Sequence, residues 1–151
     1  MNAATQVIKK NIGINAPKEK VWEILTRDAY TRQWYAAFSE GAHAETDWQL
    51  GSKAVFKDNS GEGIVAKVIR HEPQEVLAVE YEGLLSGGKE VYDTPEAQAV
   101  KGGRESYYLT GQGGHTQLHV EADMGEEYLE MMAGAWDTAL LKIKDLAEQN
   151  G

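Results

Sequence analysis

The chain has 151 residues, and its 24 acidic against 15 basic side chains give a formal net charge of -9. The length suits one domain with a sizeable core, and the lack of cysteine excludes disulfides, iron–sulfur clusters and thiol nucleophiles. The acidic balance disfavours nucleic acid and anionic membranes as partners. The sequence contains neither a signal-peptide core nor an apolar run of about 20 residues, which predicts a cytoplasmic protein without membrane insertion.

The N-terminal segment predicts a strand followed by a helix. Apolar residues alternate with polar ones between Ile8 and Ile14, which indicates a strand over residues 5–15. The periodicity changes at Asn15-Ala16-Pro17, where a small polar residue before proline is typical of a helix start.

A second short helix is expected directly after the first. Asp28 is interpreted as its N-cap, and Tyr30 and Trp34 lie four residues apart on one face of it. Residues 39–52 show no regular periodicity, and an irregular connection is expected there.

The middle of the chain predicts an antiparallel meander, because apolar alternation recurs in short runs that are separated by turn residues. The glycine-rich turn at 111–114 is typical of a hairpin. The expected strands cover 53–57, 63–71, 75–83, 103–110 and 115–123.

Residues 84–102 interrupt the meander and are too long for a hairpin loop. Glycine pairs bracket the segment, and Thr94-Pro95 favours the start of a short helix that ends near Val100. Long connections of this kind are frequently functional. The segment is therefore predicted to act as a lid.

The last element is a long amphipathic helix over residues 126–149. Apolar side chains recur every three or four residues, acidic residues lie at its start and Lys142 and Lys144 lie towards its end, as the helix dipole favours. Its apolar stripe needs a sheet to cover. The element order therefore predicts an α+β fold in which the last helix lies across a curved antiparallel sheet.

Several short motifs along the chain resemble those of a known family in order and spacing. They are INAPKEKVW at 14–22, QWY at 33–35, GS at 51–52, GGHTQL at 113–118 and WDTAL at 136–140. On these motifs the chain resembles the START-like (SRPBCC, helix-grip) superfamily, in the branch named after the activator of Hsp90 ATPase (AHSA1-like). The resemblance covers nearly the whole chain and implies a single domain over residues 1–151. It also implies a bent sheet that grips the C-terminal helix, with a pocket between them.

Nine side chains on inward strand faces and on helices are candidates to line that pocket as ligand-binding residues. Each could instead belong to an ordinary packed core. As a group they favour a cavity, since Trp and Tyr account for most of the aromatic residues (4 Trp, 7 Tyr, 2 Phe), and their polar groups need partners when buried. The candidates are Trp34, Tyr35, Phe38, Phe56, Tyr81, Glu105, Tyr107, Met132 and Trp136.

Glu105 is the most informative of these candidates. Alternation places its carboxyl on the same face as Tyr107 and Leu109, which is the inward face. In the interior the carboxyl would contact a polar group of a ligand or serve as an acid or base. The alternatives are a solvated position or a salt bridge to Arg104 or a lysine. Two acidic pairs, Asp58 with Glu62 and Glu80 with Glu82, are interpreted as solvated strand-end or outer-face charges.

No catalytic motif occurs in the sequence, so no catalytic residue, cofactor or metal is assigned. His115 and His119 share a strand face, but residues four apart in a strand are separated by about 13 Å, which is too far to share a metal ion.

The sequence thus favours a small-molecule binding domain, monomeric or homodimeric, whose ligand is mostly apolar (lipid- or polyketide-like) with a polar end. The resemblance leaves two alternatives. One is an enzyme of the cyclase or hydratase kind that uses Glu105, Tyr107 and Tyr81. The other is a chaperone-associated interaction module, which is suggested only by the family's name.

Overall fold

The part of the chain that the computed structural model describes is residues 5–150, and residues 1–4 and 151 of the expected single domain lie outside it. The described residues contain eight strands and four α-helices. The strands are β1 (Thr5–Ile14), β2 (His43–Glu45), β3 (Lys53–Lys57), β4 (Gly63–Glu72), β5 (Val76–Ser86), β6 (Lys89–Val91), β7 (Arg104–Gln112) and β8 (His115–Gly125). The helices are α1 (Lys18–Thr26), α2 (Asp28–Tyr35), α3 (Pro95–Val100) and α4 (Leu129–Asn150), the last preceded by a 3-10 turn at Glu126–Tyr128.

All the strands belong to one antiparallel sheet, as the meander pattern predicted. Its order is β1-β8-β7-β5-β4-β3-β2, and β6 adds to the far part of β5. The pairing of β4 with β5 shifts register at Val65/Ala66 and again at Val68/Arg70. Such bulges increase the local twist and bend a strand, so the sheet curves around its apolar face. The α+β helix-grip architecture is confirmed.

Helix α4 lies in the concave side of the sheet, and its apolar stripe is buried as expected. Trp136, Ala139 and Ile143 are almost fully buried. Two polar contacts fix the position of the helix against β1: Lys10 Nζ pairs with Asp137 at 2.9 Å, and Lys144 Nζ donates to the Gly13 carbonyl at 3.3 Å.

Helices α1 and α2 pack against α4, and a buried hydrogen bond joins them. The indole Nε1 of Trp34 donates to the Ile24 carbonyl at 2.9 Å. The interpretation of Asp28 as an N-cap was wrong by one residue. Arg27 occupies the cap position, while the Asp28 carboxylate accepts a hydrogen bond from Arg32 at 2.7 Å, one helical turn later. The connection over 39–52 also contains an unexpected strand, β2, because Ala44 pairs with Phe56 of β3.

The segment over 84–102 is more regular than its pattern indicated. Strand β5 continues to Ser86, and Gly87 and Gly88 take positive φ angles of 57° and 80° in a tight turn that leads into β6. Helix α3 follows, and Thr94 Oγ1 caps it by accepting a hydrogen bond from the Ala97 amide at 3.2 Å. The cap of α3 was predicted correctly. The first part of the segment was not, because the end of β5 and all of β6 extend the sheet.

Candidate ligand-binding pocket

A cavity of about 210 Å³ lies between the curved sheet, α2 and α4. All nine side chains that the sequence analysis selected line this one cavity. Those of α2, α4 and the segment after α2 form one side, and those of the sheet form the other. The nine residues are Trp34, Tyr35, Phe38, Phe56, Tyr81, Glu105, Tyr107, Met132 and Trp136.

Aromatic rings in mutual contact form most of the pocket wall. The Trp136 ring lies 4.9 Å from Phe38 and 5.9 Å from Tyr107, centroid to centroid. The Trp34 ring packs edge-on against Tyr35 at 4.4 Å. Most of these contacts are tilted or edge-to-face, which is the favourable arrangement for aromatic quadrupoles. Interlocked rings give the wall a fixed shape.

Glu105 supplies the carboxyl group on the β7 side of the pocket, and two tyrosines hold it. Tyr81 donates its hydroxyl hydrogen to Oε1 at 2.8 Å, and Tyr107 donates to Oε2 at 2.5 Å. Tyr107 lies two residues after Glu105 on the same face of β7. Tyr81 reaches across from β5, where Val79 is the residue opposite Glu105. Side chains diagonal to one another across a strand pair are within reach when they are long.

The structure decides between the alternatives for Glu105 in favour of the interior. The Arg104 guanidinium pairs with Glu80 instead, at 3.9 Å. Among residues 5–150 no lysine, arginine or histidine forms an ion pair with Glu105. The carboxyl therefore has hydroxyl donors but no positive partner from the described chain.

Burial raises the pKa of the Glu105 carboxyl above its ordinary value of 4.5, although the hydrogen bonds from Tyr107 and Tyr81 act in the opposite direction. Burial, followed by the nearby Glu105 charge, raises the pKa of both tyrosines well above 10.0. The hydroxyls consequently stay protonated and remain hydrogen-bond donors to the carboxyl.

The Glu105 carboxyl should make the stability of the protein depend on pH. Because its pKa is raised in the folded state, its contribution to folding is fully present below its ordinary value of 4.5 and is lost as the pH rises through the raised pKa. We expect Glu105→Gln, which cannot ionise, to gain stability relative to the native chain between acidic and neutral pH. Urea unfolding at a series of pH values measures this difference.

Glu80→Gln is the matched control, because it removes the same charge from a residue that pairs with Arg104 outside the pocket. For this control we expect no gain in stability over the native chain at neutral pH, because the substitution only removes the partner of Arg104. A pH-independent difference for Glu105→Gln would contradict a raised pKa at this position.

The rim of the pocket contains residues that sequence reasoning missed or interpreted differently. Asp58 and Glu62, which were interpreted as solvated strand-end charges, both line the rim of the pocket. They lie at the two ends of the β3–β4 turn, next to Lys57 and Gly63, which also line the pocket. Turn residues show no alternation of polar and apolar side chains, so their position at the pocket depends on the curvature of the sheet and could not be predicted from periodicity. The further lining residues are Ser39, Ala42, His43, Lys57, Gly63 and Ile64.

The expected lid over residues 84–102 does not cover this pocket. None of its residues lines the cavity, and α3 packs against β5 instead. Tyr92 lies against Gly83, where an added Cβ would come within 2.6 Å of its ring. This close approach places Tyr92 against the sheet.

The histidines of β8 make local hydrogen bonds. His115 Nδ1 lies 3.1 Å from Asn15 Oδ1, and His119 contacts Asn11 and Glu121, each at 2.8 Å. No group of three or more His, Asp or Glu side chains within residues 5–150 is arranged to hold a metal ion.

Comparison with known proteins identifies the family. The family model "Activator of Hsp90 ATPase homolog 1-like protein" matches residues 15–148, and the chain belongs to this family. No curated protein sequence matches the chain significantly. The family and its fold support a ligand-binding domain in general. No helix within the described part of the chain is long and apolar enough to span a membrane.

Solved structures share the fold at low sequence identity. The solution structure of the Aha1 dimer from Colwellia psychrerythraea is 21% identical, with a TM-score of 0.72 over 95% of this chain and 96% of that chain. MLL2253 from Mesorhizobium loti is 16% identical, with a TM-score of 0.72 over 98% and 99% of the two chains. CalU16 from Micromonospora echinospora is 19% identical, with a TM-score of 0.59 over 94% and 73%.

Proposed function

We propose that this protein binds a small molecule with an apolar body and one polar end in the pocket between the sheet and α4. The observation that carries the proposal is a cavity of about 210 Å³ with an aromatic wall and one interior carboxyl, Glu105, that is held by tyrosine hydroxyls. Ligand pockets combine mostly apolar walls with a few placed polar groups in this way. The rings would contact the apolar body, and Glu105 would contact the polar end.

The volume of the pocket limits the size of this ligand. Pockets for drug-sized molecules span roughly 300–1,000 Å³, and a cavity of about 150 Å³ lined by apolar residues binds benzene. A pocket of about 210 Å³ therefore suits one substituted ring or a short branched chain. Size thus favours a compact ligand over a long-chain lipid.

A pocket-filling substitution on α4 tests this proposal. Met132 lines the cavity and Met131 is 65% exposed, so the two neighbours offer the same substitution in opposite environments. We expect Met132→Trp to weaken binding of a single-ring probe at least tenfold, because the indole would occupy the space of the ligand. Binding of toluene, benzyl alcohol and benzylamine is followed by amide chemical shifts in two-dimensional NMR.

Met131→Trp should bind the same probes as the native chain, since its side chain points to solvent. Two results would count against the proposal. One is that none of the three probes binds to the native protein, and the other is that Met132→Trp binds them unchanged.

A second candidate function is catalysis in the same pocket. The favouring observation is that a carboxyl with a raised pKa contacts two tyrosine hydroxyls, since general acid–base groups are commonly tuned by burial. Glu105 would move the proton, and the aromatic wall would position a flexible substrate. A co-purifying molecule that keeps its mass on incubation with the protein supports binding, and one that changes mass supports turnover.

A chaperone-associated role would follow from the description of the family alone. Such a role would require a surface that engages a chaperone, and it would give no account of a carboxyl inside an aromatic pocket. Ligand binding accounts for that arrangement and is therefore preferred.

A further inference from the structure

The Glu105 end of the pocket presents hydrogen-bond acceptors to a ligand. An ionised carboxylate only accepts hydrogen bonds, and Tyr81 and Tyr107 have each committed their one hydroxyl hydrogen to Glu105. The lone pairs that remain on these three side chains can accept further hydrogen bonds. A ligand group that donates hydrogen bonds fits these acceptors.

The charge of Glu105 also lacks a counter-ion from the described chain. A buried charge is costly unless it is paired, and two neutral hydroxyls stabilise the carboxylate without neutralising it. A positively charged ligand group would supply the missing partner. It would also favour the ionised form, since an opposite charge nearby stabilises a carboxylate.

The charged residues at the rim of the pocket also favour a positively charged ligand. Asp58 and Glu62 line it together with one lysine, Lys57, whose Nζ is already paired with Glu45 at 2.7 Å. The chain as a whole carries a formal charge of -9. A cleft lined by negative charge attracts cations and repels anions.

The aromatic wall can hold a cation as well as an apolar group. Trp, Tyr and Phe rings attract a cation placed over their faces within about 6 Å, and such clusters are used to recognise organic ammonium groups. In a cavity of about 210 Å³, a cation next to Glu105 lies close to the rings of Tyr81, Tyr107 and Trp136. The carboxylate and the rings would then act on the same group.

We propose that the pocket selects a small organic cation, a protonated amine carried on one ring or on a short apolar chain. The ammonium would lie against Glu105 between the Tyr81 and Tyr107 rings, and the apolar part would lie against Trp34, Phe38 and Trp136. This inference rests on the proposed ligand-binding function and names the class of ligand. It excludes carboxylic acids, including fatty acids, as preferred ligands.

Three probes of nearly equal size and different charge test the inference: benzylamine, benzyl alcohol and benzoate. At neutral pH we expect benzylamine to bind at least tenfold more tightly than benzyl alcohol and benzoate to bind weakest, by NMR titration or calorimetry. Glu105→Gln should reduce the preference for benzylamine over benzyl alcohol to within about threefold, because the counter-charge is gone.

One control variant separates the charge of the pocket from the net charge of the protein. Glu80→Gln changes the net charge equally outside the pocket and should leave the preference intact.

The outcomes distinguish this inference from the proposed function. If benzyl alcohol binds as well as benzylamine, or if Glu105→Gln keeps the preference, the cation assignment is wrong while ligand binding stands. If benzoate binds best, the pocket prefers an anion and the assignment of a cationic ligand is wrong. If none of the three probes binds to the native chain, both the cation assignment and the binding function fall.

Discussion

Trp34→Ala should lower the free energy of unfolding by about 3 to 5 kcal/mol, the usual cost of truncating a buried Trp. Trp34 is 1% exposed, and its ring contacts Tyr35, Tyr107 and Trp136 in the pocket wall. Its indole also donates the buried hydrogen bond to the Ile24 carbonyl that joins α2 to α1. The substitution therefore leaves a cavity and an unpaired carbonyl together. Urea unfolding followed by circular dichroism measures the loss.

Such a loss is a large fraction of the roughly 5 to 15 kcal/mol that stabilises a typical domain. Trp22→Ala is the matched control: Trp22 is only partly buried and makes an edge contact with His71, 5.5 Å between ring centroids. For this control we expect a loss of about 1 kcal/mol. Equal losses of stability at the two positions would contradict the prediction that the burial and the hydrogen bond of Trp34 make the larger contribution.

Gly63→Ala should lower the free energy of unfolding by about 3 kcal/mol and displace β3. A Cβ at Gly63 would lie 1.9 Å from the Phe56 carbonyl oxygen and 2.9 Å from the Lys57 Cα, which are backbone atoms. Backbone cannot rotate away as a side chain can, so the paired strand must move. Because Phe56 lines the pocket, benzylamine binding should weaken as well. Urea unfolding and NMR titration test the two effects.

Gly114→Ala supplies the control, because a Cβ at Gly114 meets nothing within 4 Å. This glycine lies in the β7–β8 turn, and its substitution should change stability by no more than about 0.5 kcal/mol. An equally small change in the free energy of unfolding for Gly63→Ala would contradict the prediction, because it would mean that β3 can move away from β4 without loss of stability.

The inward face of each long strand was predictable because side chains alternate strictly along a strand. In β7 this rule alone placed Glu105, Tyr107 and Leu109 on one face, and the structure agrees: the first two line the pocket and Leu109 is 2% exposed. The three-and-four periodicity of α4 likewise identified Met132 and Trp136 as facing the sheet.

The segment over 84–102 shows where local patterns gave the wrong answer. Its length and paired glycines suggested a lid, but Gly87 and Gly88 form a tight turn and β6 continues the sheet. The position of the segment depends on the packing of Tyr92 over Gly83. A contact between residues nine positions apart leaves no periodic signal in the sequence.

The amino-acid sequence by itself determined the class of fold, the order of most elements and the inward-facing residues, because all of these follow from local periodicity and turn chemistry. Only the tertiary structure decided that Tyr81 and Tyr107 hold the Glu105 carboxyl, that no described cation neutralises it, and that the pocket measures about 210 Å³. These features depend on the curvature of the sheet and on contacts between distant residues. The bulges in the β4–β5 pairing bend the sheet, and β3 and β4 approach each other closely at Gly63. The curved sheet thereby places the acidic residues of the β3–β4 turn beside the aromatic wall of the cavity.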